Sequence, residues 1–173
     1  MPMIEDVDLV RDTPLEALAT AIAAQTDALG RLRFKFEVQQ MMLSGGCTTW
    51  VAETTEELEA AIDAVHECDS RFRSALSVAA GACGLSPEST LREVGAAVEE
   101  PWNYIFQQGR DELKRSVERV SALCGENRKL LARGYLATSA ALSLLGVATT
   151  TAYDASGAPV ASQSSANILN TKA

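Results

Sequence analysis

His66 and the four cysteines are the residues whose types could support metal or nucleophilic chemistry. His66 is the single histidine, and Cys68 follows it by two positions. Side chains two residues apart on a helix point in different directions, and no CxxC pair is present to complete a tetrahedral zinc site. A serine hydrolase would also need this histidine, but no GxSxG turn accompanies it. We therefore favour a structural or solvent-facing histidine over an enzyme that uses His66 or a cysteine.

No glycine-rich loop of the kind that cradles phosphate is present. Gly45-Gly46 and Gly81 stand outside the GxxxxGK[ST] spacing, in which backbone amides converge on a phosphate group. A run of acidic residues resembles a calcium site, but it surrounds a predicted helix start, where carboxylates complement the helix dipole. Its members are Glu53, Glu56, Glu57 and Glu59. We therefore predict no metal ion and no cofactor.

The overall composition limits the classes of partner. With 23 acidic and 15 basic residues, the 173-residue chain has a formal net charge of -8, which does not attract nucleic acid or an anionic bilayer. No apolar run approaches the ~20 residues that cross a membrane, and the first residues lack the features of a secretion signal. We expect a cytoplasmic protein without membrane insertion. There the thiols should stay reduced; they are Cys47, Cys68, Cys83 and Cys124.

The hydrophobic pattern predicts an all-α fold. Apolar residues make up 47% of the chain but aromatic residues only 5%, a composition typical of helix-on-helix packing. Asp12 or Thr13 suits the cap of a helix whose first residue is Pro14, and this helix should stop at Gly45-Gly46. Its apolar stripe repeats about every 3.5 residues and so keeps one face toward a partner helix. The stripe is Leu15, Leu18, Ile22, Gln25, Leu29, Leu32, Phe36, Gln39 and Leu43.

A second helix is predicted after a short turn in which Trp50 folds back onto the bundle. Thr54 and Glu57 have the spacing of a capping box, in which the threonine oxygen accepts from the N3 amide and the glutamate reaches back to the cap amide. The helix should therefore begin at Thr54. Gly84 suits the left-handed position that ends a helix, and we expect the first two helices to lie antiparallel.

Two further helices and a tail complete the predicted fold. Ser86-Pro87 indicates a short third helix that reaches about Glu99, and a last long helix should run from Trp102 to about Gly146. Residues 147–173 are rich in Ala, Ser and Thr without an apolar stripe, so they should be disordered alone. The expected architecture is an elongated antiparallel bundle of three long helices plus a short connecting helix, residues 13–146, and a flexible C-terminal tail, residues 147–173.

The last helix carries one amide in its apolar stripe and more apolar residues than one stripe requires. Asn127 occupies an inward position, where an amide weakens a coiled coil but fixes its register. Direct contact with a partner is the alternative. The surplus residues are Leu130, Leu131, Tyr135, Leu142 and Leu145. We expect some of them to stay uncovered once the bundle closes, and we interpret them as a surface for a protein partner.

The order of these elements and several short motifs resemble the FlgN family of flagellar type III export chaperones. The resemblance spans most of residues 13 to 157. It implies a small cytosolic chaperone, without a catalytic centre, that holds the hook-filament junction proteins FlgK and FlgL before export. The motifs are Pro101-Trp102, Arg110-Asp111-Glu112-Leu113, Glu126-Asn127-Arg128-Lys129-Leu130-Leu131 and Tyr153-Asp154-Ala155-Ser156-Gly157.

The resemblance also implies roles for particular residues. In the family, the C-terminal part of the chaperone clasps a terminal helical segment of its client, so the surplus apolar residues would bind the client. A tyrosine near the end of the family's helical region contacts the FlhA export gate, and the Tyr-Asp-x-x-Gly pattern assigns that role to Tyr153. The alternative hypothesis is a structural coiled coil that self-associates and has no client, and it predicts a homo-oligomer.

Overall fold

The computed structural model of the protein describes residues 5–144, 151–153 and 159–161. Four α-helices follow one another, α1 (Glu5–Ser44), α2 (Val51–Ala82), α3 (Leu91–Ala97) and α4 (Trp102–Leu144), and a 3-10 turn at Thr48–Trp50 precedes α2. Two short strands, β1 (Thr151–Tyr153) and β2 (Pro159–Ala161), pair antiparallel, with Ala152 opposite Val160. The predicted helical fold class is confirmed.

The strands correct one expectation for the tail. Six residues of the range 147–173 form a paired ladder, whereas we expected this range to be disordered alone. β-Branched Thr151 and Val160 take part in it, and such residues suit a pleated surface. The rest of that range lies outside the described residues, as does the predicted helix end at Gly146.

Contacts between residues divide the chain into two units, Met1–Asn127 and Arg128–Ala173. In the first unit, α1 and α2 lie antiparallel, as predicted. Leu18 near the start of α1 clusters with Ala79 near the end of α2, whereas Phe36 near the end of α1 clusters with Leu58 near the start of α2. Eight of the nine residues of the stripe predicted for α1 are buried, including both glutamines, and the last, Leu43, is half-buried.

The part of α4 that belongs to the first unit completes this core. Phe106 is buried in the cluster of Leu18, and Cys124 packs against the cluster of Phe36. Within this unit α4 therefore runs parallel to α1 and antiparallel to α2. The short α3 closes one end with Leu91 and Val94, which are buried in the same cluster as Phe106.

Glycines end α1 and α2 in the predicted way. Gly46 and Gly84 have φ angles of 70° and 73°, which only glycine adopts at no steric cost. The amide of Cys47 donates to the Met42 carbonyl at 3.0 Å, and the Leu85 amide donates to the Ala80 carbonyl at 2.9 Å. These are the bonds of the Schellman motif, which satisfies carbonyls that a helix end would leave unpaired.

The start predicted for α1 is wrong. The helix begins at Glu5, so Pro14 lies inside it instead of at its first residue. A proline in a helix interior removes one backbone hydrogen bond and crowds the preceding turn. It does not forbid helix on its N-terminal side, and the structure extends α1 there.

The start predicted for α2 is also wrong, and so is the placement of Trp50. The helix begins at Val51, directly after the 3-10 turn, and Thr54 is a buried residue of its interior. The Thr54 hydroxyl donates to the Val51 carbonyl at 3.0 Å and caps nothing. Because α2 starts at the next residue, Trp50 is held at the N-cap, where 56% of it is exposed.

The capping box that we predicted for α2 occurs instead at α3. Thr90 is the N-cap, the Glu93 amide donates to its hydroxyl at 3.3 Å, and the Thr90 amide donates to the Glu93 carboxylate at 2.7 Å. Ser86, predicted as the cap, lies in a turn in which its carbonyl accepts from the Ser89 amide at 2.9 Å. The predicted start of α4 at Trp102 is confirmed.

Candidate partner-binding surface

The residues that could do chemistry are scattered over the helices. His66 is exposed on α2, and Cys68, which lies two residues later and so on nearly the opposite side of the helix, is half-buried. The cysteines are free thiols. Among the residues that the structure describes, no three His, Cys, Asp or Glu side chains come together as metal ligands would. These positions give no geometry from which to build a reaction.

A recess of about 210 Å³ lies between α3 and α4 in the first unit, and two of its four polar lining side chains pair with neighbouring groups. The Asn103 amide donates to the Gly95 carbonyl at 2.8 Å, and the Arg110 guanidinium pairs with Asp111 at 2.8 Å. Its lining contains no histidine, cysteine or carboxylate that could act as a base or nucleophile. The recess is therefore a packing feature between helices.

Among the residues whose burial the structure describes, Asn127 is the most completely buried polar one. Its Nδ2 donates to the Phe36 carbonyl at 2.9 Å and to Gln39 Oε1 at 3.1 Å. Gln39 in turn donates from Nε2 to the Thr55 hydroxyl at 3.3 Å. The amide thus ties α4 to α1, and through Gln39 to α2, at one height of the bundle. This geometry agrees with the predicted role in fixing register.

Beyond Asn127, the helix carries large apolar side chains that stay exposed. Tyr135 is 73% exposed, Leu131 40% and Leu144 90%. Over residues 128–144 no residue is buried, and the least exposed leucines, Leu130 and Leu142, are half-buried. We call this set the distal α4 surface, which comprises Leu130, Leu131, Tyr135, Leu136, Leu142 and Leu144.

Helix geometry distributes these side chains over more than one face. At about 3.6 residues per turn, Leu131, Tyr135 and Leu142 share one stripe, while Leu136 and Leu144 point away from it. A helix that is apolar over most of its circumference is normally covered by other structure. The distal α4 surface is therefore the described part of the chain that most needs a partner.

The charges around this surface have one sign. Arg128, Lys129 and Arg133 lie in its first two turns, and residues 128–144 contain no acidic residue. From Gly134 to Leu144 no charged residue occurs. A cationic end followed by an uncharged apolar stretch suits a helical partner that is apolar on one face and acidic at one end.

A comparison with known families decides what kind of protein presents this surface. The sequence model of the family described as FlgN protein matches residues 14–161. The chain belongs to the FlgN family. Membership indicates a flagellar export chaperone, a binding protein of the flagellum's assembly system.

No curated protein and no solved structure matches the chain significantly. None of the described helices of this FlgN family member is both long and apolar enough to cross a bilayer.

The residues predicted for client binding in this FlgN family member differ in exposure. Leu131 and Tyr135 are exposed, and Leu130 and Leu142 are half-buried. Leu145 lies outside the described residues. Tyr153 is the last residue of β1, and its backbone is opposite Pro159. Sequence reasoning missed Leu136 and Leu144, although the lack of charge after Arg133 was a signal that more than one stripe of this helix is apolar.

Proposed function

We propose that this protein is an export chaperone for the hook-filament junction proteins FlgK and FlgL. It binds their C-terminal helical segments, prevents premature assembly and delivers them to an FlhA-type export gate. The proposal assigns client binding to Leu130, Leu131, Tyr135, Leu142 and Leu145, and gate binding to Tyr153. It includes a cytoplasmic location, because the client must be held before it is exported.

One observation carries the client-binding part of this proposal. Residues 128–144 continue α4 for 17 residues after Asn127 without a single buried side chain. At about 1.5 Å per residue this stretch is roughly 25 Å long, enough to hold several turns of a client helix. Amphipathic helices bind to such apolar surfaces through residues spaced three and four apart.

The basic residues at the start of the surface support a preferred orientation of the client. Arg128, Lys129 and Arg133 would attract the acidic end of a client helix, while the uncharged turns from Gly134 onward would contact its apolar face. Charges at the edge of an interface act mainly on association rate and orientation, and apolar burial supplies most of the affinity.

The proposal also divides the chain by role. Residues 13–146 would act as the helical domain that positions the client, and residues 147–173 would act as the tail that carries the gate tyrosine. The Tyr-Asp-x-x-Gly pattern at Tyr153 supports this division, and the tail's few charges leave the tyrosine as its main candidate contact residue.

Size-exclusion chromatography of the full chain with a FlgK C-terminal segment tests the proposal. We expect a stoichiometric complex with the unmodified chain. The double variant Leu131→Ser, Tyr135→Ser should weaken binding at least tenfold, because burying one leucine-sized side chain contributes about 1.5–3 kcal/mol. Val78→Ser, at an exposed apolar residue of α2, is the matched control and should leave binding unchanged.

Two outcomes would contradict the proposal. Separate elution of the chain and of the FlgK and FlgL segments would show that these segments are not its clients. A concentration-dependent oligomer that the double variant abolishes would assign the distal α4 surface to a second copy, which is the self-associating alternative.

A further inference from the structure

Gly134 lies inside α4, in the second unit, at a position where the chain's own fold does not require a glycine. Apart from its own stretch of helix, nothing in the described part of the chain lies within 4 Å of a β-carbon placed there, and the residue is exposed. It is not one of the glycines with a positive φ, which are Gly46 and Gly84. After proline, glycine is the least favourable residue in a helix interior, because it loses the most backbone freedom on folding. Neither packing nor backbone conformation within the chain therefore explains Gly134.

The residues around Gly134 have the spacing of a hole in helix packing. Positions i, i+3, i+4 and i+7 of a helix surround one gap, into which a side chain of a facing helix inserts as a knob. With Leu131 as the first member, the other three are Gly134, Tyr135 and Thr138. All four residues are exposed, Leu131 by 40% and Tyr135 by 73%. We call this set the Gly134 hole, and the missing side chain of its glycine makes the gap deeper than any other residue would.

The walls of the Gly134 hole favour an apolar knob. The Thr138 hydroxyl donates to the Gly134 carbonyl at 3.0 Å, so its hydrogen bond is made inside α4 and needs no group from a partner. Leu131 and Tyr135 contribute large apolar surfaces, and none of the four residues is charged. A charged knob would lose its hydration without gaining an opposite charge among these walls. The hole therefore suits a bulky apolar side chain.

We propose that the client helix makes its closest approach to α4 at the Gly134 hole, where it inserts one apolar side chain of leucine size or larger. This inference rests on the proposed function, because it takes the distal α4 surface as the client-binding surface. Helix axes pack about 8–10 Å apart depending on the side chains between them, and a glycine at the contact permits the short end of that range. Leu130 lies four residues before Gly134 and Leu142 four residues after Thr138, so apolar contacts continue on both sides of the hole.

A second copy of this chain is a poorer occupant of the hole. Residues 128–144 contain Arg128, Lys129 and Arg133 and no acidic residue. A symmetric contact between two distal α4 surfaces would therefore bring only basic charges into one interface. A client helix with an acidic end avoids that repulsion.

Fluorescence anisotropy with a labelled FlgK C-terminal segment and the full chain tests the proposal. Gly134→Leu should weaken binding at least about tenfold and Gly134→Ala about threefold, because the larger side chain fills more of the hole. Both substitutions should raise the melting temperature of the free chain, since they place a better helix former in an open position. Affinity and stability should thus change in opposite directions. If Gly134 only weakened the helix, a more stable helix would bind the client equally well or better.

Gly125 is the matched control in the same helix. It lies nine residues before Gly134, which at about 3.6 residues per turn is the opposite face of α4, and nothing lies within 4 Å of a β-carbon placed there. Gly125→Ala and Gly125→Leu should also raise the melting temperature but should change the affinity by less than about twofold. Unchanged affinity in Gly134→Leu, or equal losses of affinity at the two glycines, would overturn the proposal.

The client side chain that enters the hole can be found by a second titration. Each apolar residue of the FlgK segment is replaced by alanine in turn, and each peptide is titrated against the unmodified chain and against Gly134→Leu. We expect one replacement to weaken binding at least about tenfold with the unmodified chain but less than about threefold with Gly134→Leu, because the filled hole already excludes that side chain. If every replacement has the same effect on both chains, no client side chain occupies the hole and the proposal is wrong.

Failure of this proposal is distinguishable from failure of the proposed function. If the unmodified chain binds neither the FlgK nor the FlgL segment, both are wrong. If the Leu131→Ser, Tyr135→Ser variant loses the FlgK segment while Gly134→Leu binds it normally, the client covers the distal α4 surface without entering the hole, and only this proposal is overturned. An oligomer of the chain that Gly134→Leu dissociates would assign the hole to a second copy and would also overturn it.

Discussion

The side-chain amide of Asn127 on α4 donates a hydrogen bond of 2.9 Å to the backbone carbonyl of Phe36 on α1, although 91 residues separate them. The same nitrogen reaches Gln39, one turn further along α1. A shift of α4 by one residue along α1 would move the Asn127 amide away from the Gln39 side chain, an acceptor that the neighbouring residues of α1 do not replace. An amide at this position specifies one alignment of two helices whose apolar residues alone would tolerate several.

Asn127→Ala should therefore destabilise the chain by about 1–3 kcal/mol, because it leaves buried polar partners unsatisfied. The measurement is urea unfolding followed by circular dichroism. Ser143→Ala, at an exposed position of the same helix, is the control and should change the stability by less than about 0.5 kcal/mol. An unchanged midpoint for Asn127→Ala would mean that the amide does not fix the alignment.

Gly109 marks a close approach between α4 and α1. A β-carbon at residue 109 would lie 2.7 Å from Cγ2 of Ile22, which is too close for any side chain. Gly109→Ala should be destabilising on balance, because overpacking a core costs about 1–3 kcal/mol and alanine regains only about 1 kcal/mol of helix propensity.

Gly125→Ala is the matched control for that substitution, since nothing lies within 4 Å of a β-carbon placed there. It should stabilise the chain by up to about 1 kcal/mol. The two substitutions in one helix should therefore shift the melting temperature in opposite directions. A gain in stability at both positions would contradict the close approach of Gly109 to Ile22.

The capping box of α3 predicts a stability difference that depends on pH. Hydrogen bonds from Thr90 hold the pKa of the Glu93 carboxyl below its ordinary value of 4.5. A carboxyl whose pKa is lowered on folding stabilises the fold above its unfolded pKa, and that contribution is lost as the pH falls through the folded value. Glu93→Ala should therefore lower the melting temperature at pH 7 and have a smaller effect below pH ~4. Glu88→Ala is the control, and an effect of Glu93→Ala that is independent of pH would contradict the role of its charge.

For Tyr153 we expect a separation of two activities. Tyr153→Ala should leave binding of the FlgK segment unchanged and weaken docking of the chaperone–client complex to the cytoplasmic part of FlhA by at least tenfold, measured by a pull-down titration. Tyr104→Ala is the matched control, because Tyr104 is an exposed tyrosine of the first unit. Docking that survives Tyr153→Ala would refute the assignment of the gate contact.

Helix ends and helix starts differed in how well the sequence predicted them. Gly46 and Gly84 end helices because a left-handed backbone is a property of the residue itself, and the neighbouring hydrogen bonds follow from it. Pro14, Thr54 and Ser86 were misread as starts because prolines and hydroxyl residues also fit helix interiors and turns. Thr54, for example, satisfies its hydroxyl on the carbonyl of Val51.

The sequence by itself determined the helical class, the buried stripe of α1, the two glycine ends and the excess of apolar residues after Asn127, because each depends on periodicity or on one residue's backbone preference. Only the tertiary structure decided which groups the Asn127 amide donates to, how closely Gly109 approaches Ile22, and which apolar residues stay exposed. Trp50, for example, is predicted to fold back onto the bundle, yet it is exposed. Whether such a side chain is covered depends on the helices packed around it, and a local pattern does not contain that information.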